Sequence, residues 1–174
     1  LAEADPTNSQ AQRDLSISYN KLADVAIALG DTTGAQQLFT DGLTIRRRLA
    51  EADPTNSQAQ RDLSISYNRL ADIAMRLGES DQARGYYEQD LAIARRLAEA
   101  DPVNIGKQRD VIISLRQLGQ LLSSTGDRER GEAMLNEAIE IARQIGLDLG
   151  LPEDTGDSDQ PDRRRRWPFG RRRP

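Results

Sequence analysis

The sequence predicts an all-α solenoid of three helical hairpins, on the strength of three observations. Leu1–Asn20 (LAEADPTNSQAQRDLSISYN) recurs letter for letter as Leu49–Asn68, and a diverged copy opens at Leu97 with LAEADPVN. This gives a period of 48 residues, with copies at 1–48, 49–96 and 97–144. Such a period marks units that bury their apolar faces only against their neighbours. Within each copy the apolar positions fall at helical spacing. Aromatics make up only 4% and charged residues 30%, which favours small aliphatic packing between helices over a core of large rings.

The elements follow in order. From Ser9 to Leu29, apolar residues stand at Leu15, Ile17, Tyr19, Leu22, Val25, Ala26 and Leu29, related by i, i+3, i+4 and i+7 steps. Thr7-x-x-Gln10 reads as a capping box at the start of this helix. Gly30 is placed to end it in the left-handed conformation. After the Asp31-Thr32-Thr33 turn a second helix carries Ala35, Leu38, Phe39, Leu43, Ile45 and Leu49. Arg46, Arg47 and Arg48 lie towards its negative end, and Asp53-Pro54 stops it. Each helix is then about 20 residues, or about 30 Å, long.

These residues resemble a known family. Tyr19-x-x-Leu22-Ala23-x-x-Ala26…Gly30…Ala35-x-x-x-Phe39 is similar to the tetratricopeptide repeat. So is Tyr67-x-x-Leu70-Ala71-x-x-Ala74…Gly78…Ala83-x-x-x-Tyr87, and more distantly Leu115-x-x-Leu118-Gly119-x-x-Leu122…Gly126…Gly131-x-x-x-Leu135. Small residues at Ala23, Ala71 and Gly119 let the two helices of a hairpin approach closely. The usual unit is about 34 residues, so each helix here gains roughly two turns. The match is to long-helix variants such as those of kinesin light chains, and to arrays in large bacterial multidomain proteins. The resemblance implies a right-handed solenoid whose first helices line a concave groove, and a protein–protein interaction scaffold of the cytoplasm.

In that groove the first copy presents Arg13, Ile17, Asn20, Lys21, Asp24 and Ile27, and the second Arg61, Ile65, Asn68, Arg69, Asp72 and Met75. The third presents Arg109, Ile113, Arg116, Gln117, Gln120 and Ser124. Ladders of asparagine, cation and aspartate suit the backbone amides and carboxylates of a partner segment. The plainer alternative is that Lys21–Asp24 and Arg69–Asp72 are i, i+3 surface pairs worth a few tenths of a kcal/mol. Asp24 and Asp72 also admit a reading as a carboxylate pair for acid–base or metal chemistry.

Other chemistry is thin. Cysteine and histidine are both absent, which removes disulfides, thiolate sites and the commonest general base and metal ligand. No catalytic residue, metal, cofactor or small-molecule substrate is expected. Mean hydropathy is −0.69 and no apolar run nears the roughly 18 residues of a membrane span.

Charge is segregated at the C-terminus. Residues 148–162 carry six acids and no base, and the last twelve residues carry seven arginines and no acid. This split predicts an acidic linker and a disordered tail over 148–174. Within the tail, Arg163, Arg164, Arg165, Arg166, Trp167, Phe169, Arg171, Arg172 and Arg173 suit phosphates and stacking. Electrostatic binding of nucleic acid or an anionic membrane is therefore the alternative to a protein partner. The acidic linker of a neighbouring chain is a further candidate ligand for the groove cations. The opening at Leu1, without an initiator methionine, is read as a cut inside a longer protein. Finally, Met134, Leu135, Ile139, Ile141 and Ile145 are expected to stand open on the last helix. Leu147, Leu149 and Leu151 would fold over them as a cap, or else the repeat end would self-associate.

Overall fold

The computed structural model describes residues 8–147, and within them the chain forms six helices and no strand. These are α1 (Ser9–Ala28), α2 (Thr32–Ala52), α3 (Ser57–Leu77), α4 (Ser80–Ala100), α5 (Ile105–Ser124) and α6 (Arg128–Gln144). Each packs chiefly on the helix before it and the helix after it, as a solenoid requires. The linker and tail, Leu149, Leu151 and Thr7 of the expected capping box lie outside the described residues.

Local hydrogen bonds set the boundaries. The N-caps of the first helices are the asparagines Asn8, Asn56 and Asn104, whose side chains accept from Ala11, Ala59 and Lys107 N–H at 3.0, 3.0 and 3.3 Å. The threonine of the repeat has a different task. In copy two, Thr55 N–H and Oγ1–H donate to Asp53 Oδ1 at 3.0 and 2.7 Å, closing the turn behind Pro54. The asparagine, directly before the first helical residue, accepts from the amide three residues on, which leaves the threonine free for that turn. Gly30, Gly78 and Gly126 share the repeat position that needs φ near +80 to +100°, joining first helix to second.

Small residues hold the hairpins together. Ala23 faces Ala35 in the first hairpin and Ala71 faces Ala83 in the second, all four completely buried. The third hairpin goes further. A Cβ on Gly119 would stand 2.9 Å from the Gly131 carbonyl oxygen, and one on Gly131 only 2.6 Å from that of Gly119. The backbones of α5 and α6 therefore touch.

The ends differ from expectation. Met134, Ile141 and Ile145 are half-buried against the core rather than open, and Leu147 joins them. Leu147 N–H bonds to Ala142 C=O and Gly146 N–H to Arg143 C=O, the paired bonds of a Schellman turn that folds Leu147 back. The exposed apolar end is the other one. Leu22, Val25 and Leu29 are exposed on α1, because among the described residues no helix precedes it.

Candidate functional site

The three first helices carry a ladder that ties one repeat to the next. Arg13 Nε donates to Asp62 Oδ2 at 2.6 Å and Arg61 Nε to Asp110 Oδ2 at 2.7 Å, each step spanning 49 residues. Arg69 approaches Asp24 at 3.9 Å. Gln117 Nε2 reaches Asp72 Oδ1 at 3.5 Å, and the Tyr87 hydroxyl donates to the same oxygen at 2.6 Å. Burial, followed by that bond to Asp72, pushes the Tyr87 hydroxyl far above its ordinary range. The cations thus pair across repeats, and the expected Lys21–Asp24 and Arg69–Asp72 pairs within a helix do not form. Asp24 and Asp72 each have their own partner, which leaves no shared carboxylate site between them. Among the described residues no group of three or more acidic, histidine or cysteine side chains is placed to hold a metal.

Beneath the ladder lie two buried polar junctions. At the first, Arg46 of α2 is 5% exposed. Its Nε donates to Ser16 Oγ at 3.1 Å, and its Nη1 to Asp62 C=O at 3.1 Å and Ser66 Oγ at 3.0 Å. The Asn20 amide, oriented by that guanidinium, accepts from it at 3.1 Å. Burial holds the Arg46 guanidinium below its ordinary value, partly offset by the Asp62 charge. Arg46 is therefore no solvated cation at a helix end. Its neighbours do stay near the surface: Arg47 lies over the Tyr67 ring at 6.0 Å, and Arg48 Nη2 donates to Gln12 at 2.6 Å.

The second junction uses the same frame with the opposite charge. Asp90 of α4 is 3% exposed and accepts from Ser64 Oγ, from Ser114 Oγ at 2.8 Å and from Asn68 Nδ2 at 3.1 Å. Ser64 and Asn68 are the copy-two equivalents of Ser16 and Asn20, and Ser114 is that of Ser66. Gly42 and Arg46 of copy one are replaced by Asp90 and Ala94, so the buried charge moves by one turn and changes sign. Serine and asparagine tolerate this because each can donate or accept. Among the described side chains no buried polar atom is left without a partner.

Burial raises the Asp90 carboxyl, only partly opposed by its three hydrogen bonds. A raised folded pKa means that the native state binds the proton more tightly than the unfolded chain. The contribution to stability is full below the unfolded value near 4 and is lost as pH rises through the higher folded value. Asp90→Asn is therefore expected to raise the denaturation midpoint at pH 7. That advantage should vanish near pH 4 when the urea midpoints of both proteins are compared across the range.

Of the thirteen polar residues expected to face the groove, most are spent inside the repeat. Arg13, Asp24, Arg61, Arg69 and Asp72 are rungs, while Asn20 and Asn68 turn into the junctions, Asn68 also bonding to Gln117. Among the described residues Lys21, Arg109, Arg116 and Gln120 are exposed without a side-chain partner. An apolar row runs beside them at repeat spacing: Ile17 is half-buried, and Ile65 and Ile113 are exposed. Between Ile65 and Ile113 opens a cleft of about 180 Å³, lined also by Arg61, Asn68 and Asp110 and floored by Asp90. The buried junctions carry no periodic signal of their own in the sequence. The Gly42/Asp90 and Arg46/Ala94 exchange between near-duplicate copies was the only clue to them.

Helical hairpins joined by small-residue contacts and stacked through repeated first-helix rungs define an interaction solenoid. Two sequence profiles of the tetratricopeptide repeat match the chain, one over residues 16–56 and the other over 62–144. The chain belongs to the tetratricopeptide repeat family, whose repeats generally mediate protein–protein interaction. Among solved structures it is similar to the crystal structure of BtubC (BKLC) from P. vanneervenii, with a TM-score of 0.64 at 18% identity. That protein is a kinesin-light-chain-like repeat protein, in line with the long-helix resemblance of the sequence. The alignment covers 95% of this chain but only 57% of the other. No curated protein matches the sequence.

Proposed function

We propose that this chain is a cytoplasmic, non-catalytic scaffold that holds a segment of a partner protein along its first-helix face. The observation that carries the reading is the row Ile17, Ile65 and Ile113 with the cleft between the last two. Isoleucines repeated at one position, half-buried at Ile17 and exposed at Ile65 and Ile113, on a face most of whose polar groups are already paired, offer apolar area to a partner. Lys21, Arg109 and Arg116, the uncommitted cations of that face, suit a partner whose apolar side chains are flanked by acidic ones. No described helix is long and apolar enough to cross a membrane. The family fold is typically a scaffold rather than an enzyme.

The test is selection of a displayed peptide library against the chain. Enriched peptides should carry spaced apolar residues among acids. Ile65→Glu with Ile113→Glu, both at exposed positions, should weaken them at least about tenfold, or 1.4 kcal/mol, with unchanged helicity. Undiminished binding would place the partner elsewhere. Loss of binding on removing residues 163–174, with a steep salt dependence, would favour the arginine-rich tail instead.

A further inference from the structure

The two buried junctions allow a comparison within one molecule. At the first, four groups hold the Arg46 guanidinium: Ser16 Oγ, the Asn20 amide, the Asp62 carbonyl and Ser66 Oγ, all at 3.0–3.1 Å. One repeat further on, these positions are Ser64, Asn68, Asp110 and Ser114. All four line the cleft between Ile65 and Ile113. The arginine has no counterpart there, because its position is Ala94. The second junction thus keeps the residues that hold a guanidinium in the first, around an opening of about 180 Å³ instead of a side chain.

Charge agrees with this comparison. Asp90, 3% exposed at the floor of the cleft, accepts hydrogen bonds only from the neutral groups of Ser64, Ser114 and Asn68. Among the described residues no cation pairs with it. Arg61, the cation of the cleft lining, is committed to Asp110 through Nε and Nη2 at 2.7 and 3.1 Å. Burial raises the Asp90 carboxyl and the Asp110 charge acts in the same direction, so a cation beside it would oppose both. Ser64 and Ser114 spend their hydrogens and keep oxygen lone pairs for an incoming N–H. A lysine would bring one compact charge. A planar guanidinium brings five donors in a fork, which can bond a carboxylate and its flanking oxygens together. Ile65 and Ile113, both exposed, offer apolar contact to the methylene stem of such a side chain.

We propose that this cleft receives an arginine side chain of the partner segment, its guanidinium on Asp90 and its stem between Ile65 and Ile113. This assignment rests on the partner-binding reading of the first-helix face, and gives the bound segment one arginine among its apolar and acidic residues.

Acetyl-arginine amide, titrated into the full chain and followed through backbone amide shifts by NMR, tests the site without a partner. Shifts should concentrate at Ser64, Asn68, Asp90 and Ser114. Acetyl-citrulline amide, of the same shape but neutral, should bind at least about tenfold more weakly. Asp90→Asn should weaken the arginine probe by a similar factor with unchanged helicity. Ala94→Arg should abolish its binding, by filling the cleft from within as Arg46 fills the first junction. In peptides selected on the first-helix face, exchanging arginine for citrulline should weaken binding to the native chain about tenfold and binding to Asp90→Asn hardly at all. Equal binding of the two probes, or shifts indifferent to Asp90→Asn, would overturn the proposal. Selected peptides that need Ile65 and Ile113 but contain no arginine would also overturn it, while sparing the reading of the face. Probe binding in the cleft, beside peptides that ignore both isoleucines, would remove that reading and leave the arginine site standing. Probe binding that appears only after the arginines of 163–174 are replaced by glutamine would give the cleft to the chain's own tail and overturn a partner's arginine.

Discussion

Arg46→Ala is expected to cost about 3 kcal/mol, because it empties a buried polar junction rather than a surface. The guanidinium bonds to Ser16, Asn20, Ser66 and the Asp62 carbonyl. Truncation leaves a cavity between α1, α2 and α3 and deprives the Asn20 amide of its donor. The two serines suffer less, since Ser16 and Ser66 also donate to the Arg13 and Asp62 carbonyls at 2.7 and 3.2 Å. Arg46→Met, which keeps the volume and removes the charge, should therefore lose only about 1 kcal/mol. Stability in a solenoid is a sum of units and nearest-neighbour interfaces. The alanine variant should accordingly melt in two steps, with the first hairpin leaving early. Urea unfolding followed by circular dichroism reads both effects. A single transition with an unchanged midpoint would show that the buried guanidinium contributes nothing to this interface.

The second large effect is at the closest helix contact. Gly131→Ala is expected to destabilise by about 2 kcal/mol, since the added methyl cannot fit without separating α5 from α6. It would meet the Gly119 carbonyl oxygen at 2.6 Å and the backbone nitrogen of Ser123 at 2.8 Å. Gly85 supplies the opposite case on α4. A Cβ there meets nothing within 4 Å, so Gly85→Ala should stabilise by about 0.5–1 kcal/mol through helix propensity alone. Thermal midpoints of the two variants should move in opposite directions. Movement in the same direction would show that propensity, not steric contact, governs both sites.

Much of this architecture was legible from the residues in order. A helix begins where an amide finds a cap and ends where proline or a left-handed glycine interrupts the bonding. These are interactions over a few residues, so Gly30, Gly78 and the Asp-Pro pairs marked the hairpins correctly. Even there the cap moved by one residue, from the threonine to Asn8 and Asn56, because two adjacent side chains competed for neighbouring amides.

Burial obeyed a different rule. Leu22 and Leu70 are the same residue two places after the same twenty-residue phrase, yet one is exposed and the other enclosed. Nothing within the phrase distinguishes them; the difference is whether a second helix of another repeat lies across it. Likewise Asn20 accepts from a guanidinium while Asn68 donates to a carboxylate, each following the charge that the second helix brings beneath it. The order and length of the helices came from short-range hydrogen bonding that each repeat carries within itself. Which faces are open, which cations are spent and where charge is buried came from stacking, because those properties belong to pairs of repeats.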